Sequence, residues 1–350
     1  RYRRRSLAGK LGSSMNKMKS VYFAEKDRIE LRDVEIPPVL PGMVKIKTAY
    51  AALCATDVHM VTMGVLGAQP GIPLGHEASG VIVELGQGTE GYGFHLGDKV
   101  AVAPIAVCGK CPMCKKGLPQ YCLHAQPVAA FSEYIVTDSS AVYKIPADAD
   151  LKKYSLVEPA VCTIRAMDLA GIKHGQTVAV SGIGGIGSIL LNMVLLAGGA
   201  KVTAIDPVRE KRELALSMGA EYALDPLSDD LEARSGEITG GFGFDHVFEV
   251  SGSPKAADVC LDMVAHCGKV TYFAVFPPEY EMPLNLYKLY MKEASIQTVF
   301  TSHYLFPRAV NLMPRVQTDK IIGKILPLSQ ALEAFELFKE SKYPKILLEC

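Results

Sequence analysis

The 350-residue sequence has no net charge, no apolar run long enough to cross a bilayer, no internal repeat and no low-complexity segment. Lys plus Arg (37) balances Asp plus Glu (37), so the charge favours neither nucleic acid nor a membrane surface as partner. The longest apolar run, residues 189–200, is interrupted by Asn192 and is shorter than the ~20 residues a membrane span needs. No acid precedes Glu25, while Arg1, Arg3, Arg4, Arg5, Lys10, Lys17 and Lys19 give a basic start without the apolar core of a secretory signal. Residues 1–14 read as a flexible extension or a cloning remnant rather than an RNA- or membrane-binding tail. The expected compartment is the cytoplasm, where a cluster of cysteines holds metal more readily than disulfides.

At 350 residues the chain exceeds the size at which one core stops growing, which predicts two domains. From about Lys19 to Ile145 the pattern is short β-prone runs broken by Gly and Pro, predicting a largely antiparallel or barrel-like domain. From about Ser155 helical and strand patterns alternate, with strands expected at 177–181, 201–206, 221–225, 245–251, 268–275 and 294–300; a doubly wound parallel sheet follows. Residues 305–350 read as two helices and a closing strand, Lys345–Glu349, that returns to the first domain.

The organising stretch is Thr177–Ser181, an apolar β-rich run, followed by Gly182-Ile-Gly184-Gly-Ile-Gly187, a helical run and Lys201–Asp206. Strand, glycine turn, helix and strand with a terminal acid is the context in which this motif binds a dinucleotide. Gly182 makes the turn, Gly184 lets backbone N–H groups of Gly185 and Ile186 reach a pyrophosphate, and Gly187 lets the helix pack on the strand. Asp206 suits a ribose diol and favours NAD, although Arg209, Lys211 and Arg212 could receive a 2′-phosphate. Arg212, Ser251 and Ala274 join the expected cofactor-binding set. A glycine-rich turn of any parallel α/β sheet is the plainer alternative.

Cys108, Cys111, Cys114 and Cys122 form C-x2-C-x2-C-x7-C amid Gly109, Pro112, Gly117 and Pro119. Four thiolates on a turn-rich lobe fit a closed, structural zinc site; unligated cysteines, disulfides or an iron–sulfur cluster are the alternatives. Cys54-Ala-Thr56-Asp57-Val-His59 and Gly75-His76-Glu77 supply a thiolate, an imidazole and a carboxylate, the donors of an open zinc site. Taken singly, such a Cys or His is as well explained as a core residue.

Together these motifs resemble the zinc-dependent medium-chain dehydrogenase/reductase family, in its sorbitol (polyol) and threonine dehydrogenase branch, from about Met18 to Cys350. The resemblance implies a GroES-like catalytic domain over 15–164 and 301–350, with the structural-zinc lobe at 108–122, and a Rossmann NAD-binding domain over 165–300. It implies Cys54 and His76 as catalytic zinc ligands, Glu77 and Glu158 as carboxylates that bind the metal or alternate with water, and Thr56 and His59 as a proton relay. Asp57 would orient His76. The implied reaction moves hydride between a secondary alcohol (polyol, cyclitol or sugar-derived) and NAD, giving the ketone. A threonine or amino-alcohol dehydrogenase, or a non-catalytic nucleotide-binding relative, are the alternatives.

Three departures stand out: Ala55 replaces a usual glycine, the Cys122–Phe131 link is short, and Thr301-Ser302 stands where the branch carries Arg-Tyr or an arginine. Met60 follows His59 where polyol enzymes offer tyrosines. These argue against sorbitol and threonine themselves, leaving a cyclic or modified sugar or another small diol, with His303 and Arg308 as possible substitute contacts. The β-prone edge Ser295–Thr298 predicts a homodimer or homotetramer.

Overall fold

The computed structural model describes residues 17–350, and segment 1–14 lies outside the described residues. Lys17–Glu25 and Arg28–Glu35 form a hairpin. Met43–Ala52, Glu77–Leu85, Lys99–Val102, Tyr134–Asp138 and Val142–Lys144 build most of a seven-stranded, largely antiparallel sheet. Its remaining strands, Ile322–Pro327 and Lys345–Glu349, come from the end of the chain, and the last pairs antiparallel with Met43–Ala52. Strand Ile322–Pro327 was not expected from the sequence pattern. Most of its residues are exposed, so it lacks the apolar alternation that marks a strand.

The second sheet has six strands in the spatial order Tyr222–Leu224, Ala200–Ile205, Thr177–Ser181, Phe244–Glu249, Val264–Tyr272, Ser295–Thr298, every neighbouring pair parallel. Its central strands are almost wholly buried because helices cover both faces. The chain order reverses between Thr177–Ser181 and Phe244–Glu249, which opens a crevice at their C-terminal ends. Val44 and Ile46 of the first sheet share one hydrophobic core with Val180 of the second and with Ile189 of the helix Gly185–Leu196 that packs on it. The cysteine lobe has only a small cluster of its own, Val107, Cys111, Cys114 and Cys122. Among the described residues no helix is long and apolar enough to cross a membrane.

Candidate active site

Strand register assembles the first candidate metal site. Ala52 pairs with Glu77 on one side and with Leu347 on the other. Cys54, two residues past Ala52, therefore meets His76 and Glu77 at the head of one neighbouring strand and Lys345 at the head of the other. Donor atoms of Cys54, His76 and Glu77 all lie within 4.8 Å of one another.

Cys54 precedes helix Ala55–Met63, whose first turn carries Asp57. The fully buried Asp57 carboxylate accepts the Cys54 backbone N–H at 3.0 Å and bonds His76 Nδ1 at 3.0 Å. A carboxylate only accepts, so Nδ1 carries the proton and Nε2 presents its lone pair as a metal donor. Burial disfavours the charged ring, but Asp57 and Cys54 outweigh it and hold His76 well above its ordinary basicity.

Lys345 is the site residue that no sequence motif points to. Its ammonium donates to both Glu77 oxygens, at 2.6 and 2.5 Å, and to the Leu53 carbonyl at 3.0 Å, with side chains 2% and 0% exposed. Burial raises the Glu77 carboxyl to about 7, with Lys345 opposing and Glu158 reinforcing. A lone lysine opening an apolar strand was the only signal available. Its stem also lies 2.8 Å from where a Cβ on Gly185 would sit, so one side chain links metal site and glycine loop.

Glu158 is buried in the first turn of helix Val157–Ala170, and burial raises its pKa. It stands outside the three-residue donor group. One turn on, Cys162 Sγ donates to Glu158 Oε1 at 3.5 Å and lies 3.7 Å from Thr301 Oγ1. Thr56 and His59 lie three apart on helix Ala55–Met63 and so share a face. His59 Nδ1 is buried without a partner, and burial lowers its pKa.

The second candidate metal site is the cysteine lobe, closed at its base by pairing of Ile105–Ala106 with Gln126–Pro127. Its four sulfurs lie within 4.8 Å of one another; Cys122 Sγ is 3.5 Å from Cys108 Sγ and 4.0 Å from Cys111 Sγ. A tetrahedron of ~2.3 Å zinc–sulfur bonds has edges of about 3.8 Å, so the spacing fits zinc. Backbone N–H groups of Cys108, Cys111 and His124 point at the sulfurs, each at 3.4 Å, as thiolates require. None of the cysteines is disulfide-bonded.

The glycine turn fits a dinucleotide. Gly182 has φ +99°, and a Cβ there would strike Ser251 N at 2.7 Å; a Cβ on Gly187 would lie 1.8 Å from Gly182 O. Gly184 faces open space and precedes the 12-residue helix Gly185–Leu196, whose first N–H groups, on Gly185, Ile186 and Gly187, have no side-chain cap. The Asp206 carboxylate accepts from Ile183 N (2.8 Å) and Val208 N (2.9 Å), bracing the turn while each oxygen keeps a lone pair. Ser251 is held by Glu249, and Ala274 N bonds Glu249 O at 3.3 Å, so both sit at the crevice.

Arg212 donates to the carbonyls of Asp206 and Pro207 (2.7 and 2.9 Å) and pairs with Asp225 (3.0 Å), which holds it beside the Asp206 strand end. One expectation needs correction. His303 and Arg308, considered as substrate contacts, are engaged elsewhere. His303 is 2% exposed with Nε2 on Ser140 O at 3.0 Å, and Arg308 forks onto Asp168.

A dinucleotide crevice beside a Cys/His/carboxylate donor set, with a separate four-cysteine lobe, defines a zinc-binding dehydrogenase. The chain matches the alcohol dehydrogenase GroES-like domain over residues 40–147 and the zinc-binding dehydrogenase family over residues 185–315. It belongs to that family. It is 30% identical over 335 residues to L-threonine 3-dehydrogenase of Pyrococcus furiosus, covering 91% of this chain and 94% of the relative. To sorbitol dehydrogenase of Halalkalibacterium halodurans it is 33% identical over 273 residues, 75% and 78% of the two chains. The crystal structure of 2R,3R-butanediol dehydrogenase from Bacillus subtilis superimposes with a TM-score of 0.85 at 26% identity, covering 95% of this chain and 99% of that one.

Proposed function

We propose that the protein oxidises the secondary hydroxyl of a small, neutral polyol or diol to the ketone, with NAD as hydride acceptor. The observation that carries this is Lys345, whose Nζ bonds Glu77 while its Cε lies 2.8 Å from where a Cβ on Gly185 would sit, so that the metal site and the glycine loop adjoin and reacting alcohol and cofactor would share one cleft. Cys54, His76 and a carboxylate from Glu77 or Glu158 would hold the catalytic zinc, and Cys108, Cys111, Cys114 and Cys122 the structural one. When bound, zinc supplies Lewis acidity to a substrate oxygen and NAD takes the hydride.

The chain's own residues do the rest. Asp57 fixes the His76 tautomer. Thr56 accepts the substrate hydroxyl proton and passes it towards His59, which burial keeps neutral and whose Nδ1 is free to receive it. Glycines 182, 184 and 187 and the helix N-terminus behind them seat the pyrophosphate, and Asp206 receives the ribose hydroxyls. Threonine oxidation is the second reading, favoured by the relatives that carry that name. We assign the chain to two domains, the catalytic one over 15–164 and 301–350 and the Rossmann one over 165–300. Edge strand Ser295–Thr298, beside the exposed Leu286, Tyr287, Tyr290 and Met291, pairs two copies. A cytoplasmic location agrees with nine unpaired cysteines.

The test is NADH formation by zinc-loaded protein across polyols, inositols, secondary alcohols and threonine, with a chelator control. Chelator-sensitive turnover of neutral alcohols is expected. Silence towards every alcohol, with NAD binding intact, would overturn the proposal.

A further inference from the structure

Strand Phe244–Glu249 lies beside Thr177–Ser181 at the point where the chain order reverses, and Glu249 ends it. Its side chain is fully buried, and among the described residues no basic group pairs with it. The turn that follows fills the carboxylate instead. One oxygen accepts Ser251 N at 2.9 Å and the Ser251 hydroxyl, and the other accepts Gly252 N at 3.2 Å. Ser251 Oγ in turn accepts Ser253 N at 3.1 Å. Burial raises the Glu249 carboxyl while these donors oppose it. Ser251 is exposed, so a buried anion holds a turn that faces solvent.

That turn is wedged against the glycine loop. Ser251 N lies 2.7 Å from where a Cβ on Gly182 would sit, and on the other side a Cβ on Gly252 would lie 2.8 Å from Val275 O. Ser251 therefore has no room to move towards Gly182, and the carboxylate bonds keep it from moving away. The strands flanking Thr177–Ser181 thus lead to one carboxylate each: Asp206 holds Ile183 N at 2.8 Å, and Glu249 holds the turn that packs on Gly182. A turn that only had to close could use a neutral Ser or Asn cap. A buried charge without a cation is the costlier choice, and what it fixes is one wall of the crevice.

We propose that Glu249 is a positioning residue for the dinucleotide: by holding Ser251 and Gly252 against Gly182 it sets the width of the crevice, and being fully buried it does so without touching the cofactor. This rests on the seating of the dinucleotide at the glycine turn described above, and adds to it a residue that lies outside the glycine motif.

The probe is NADH, whose own emission is read against a chain that contains no tryptophan. Glu249→Gln is nearly isosteric but turns the acceptor facing Gly252 N into a donor, so the turn must move. The dissociation constant of NADH on the zinc-loaded protein should rise about 10-fold or more, the worth of one charge-assisted hydrogen bond. With an alcohol that the panel above shows to be oxidised, KM for NAD should rise by the same factor, while kcat, KM for the alcohol and zinc content stay within about twofold of the wild type. General loosening of the fold would not produce that split. In a double-mutant cycle with Ser251→Ala the two effects should be less than additive, since both break the same anchor. If Glu249→Gln fails to fold, Glu249→Asp, which keeps the charge but draws the oxygens back by one methylene, carries the same expectation. An NADH affinity unchanged by the substitution, additive effects, or kcat falling together with both KM values overturns the inference. If the wild type binds no NADH, the seating of the dinucleotide fails instead. If it binds NADH but oxidises no alcohol, the function proposed above fails and the NADH measurement still decides the role of Glu249.

Discussion

Asp57→Asn changes one atom in a fully buried position and should strip the catalytic zinc while leaving the fold in place. The carboxylate serves two donors, the backbone N–H of Cys54 and Nδ1–H of His76, each at 3.0 Å. Asparagine has one acceptor and one donor end. If its oxygen faces Cys54, its NH2 group faces Nδ1, and the imidazole must shift its proton to Nε2, the atom that would otherwise donate to the metal. If the oxygen faces His76 instead, two N–H groups confront each other in the interior, at about 1–3 kcal/mol. Loss of such an orienting contact lowers metal affinity by roughly 10- to 100-fold, about 1.4–2.7 kcal/mol. The assay is zinc content against a graded chelator. The wild type should hold about two zinc ions per chain, one in each donor set, and the variant should release one of them at a 10- to 100-fold lower chelator concentration and lose NADH formation with it. An affinity within about threefold of the wild type would refute the tautomer argument.

Acid should weaken the fold through His246. Burial, with Lys269 adding to it, lowers this imidazole from 6.5 to about 4, so between those values the unfolded chain binds more protons than the folded one. Stability is then fully present above about pH 6.5 and is lost as the pH falls towards 4; between pH 7 and 5 the loss is about 1.8 kcal/mol. Urea melts at the two pH values should show the wild type losing about 1.8 kcal/mol more than His246→Gln over that interval, since all other titrating groups are common to both, and identical pH dependence would dismiss the assignment. Light scattering at working concentration should give the mass of a dimer or tetramer, and a monomer would remove Ser295–Thr298 as an interface.

Features whose parts lie close together along the chain are legible in the residues alone. The glycine turn needs Gly182, Gly184 and Gly187 within one loop, and a Cβ on Gly187 would collide with the backbone of Gly182 itself. The cysteine lobe is also local, since four donors within fifteen residues have few ways to avoid one another. Alternating β-prone runs and helical patterns likewise marked the two sheets, because burial on a pleated or helical face imposes its period on the residues. Strand Ile322–Pro327 left no such mark because an exposed strand carries no such period.

Contacts between distant segments belonged to the tertiary structure. Cys54 meets His76 only because Ala52 is in register with Glu77, and a slip of one residue would have turned the donors to opposite faces. Lys345 reaches Glu77 across 268 residues, and no local pattern distinguishes it from the chain's other lysines. His303 and Arg308 looked available as substrate contacts until packing gave them Ser140 and Asp168 as partners. The types of donor were written locally, while their partners, charges and free lone pairs depended on which strands lie side by side.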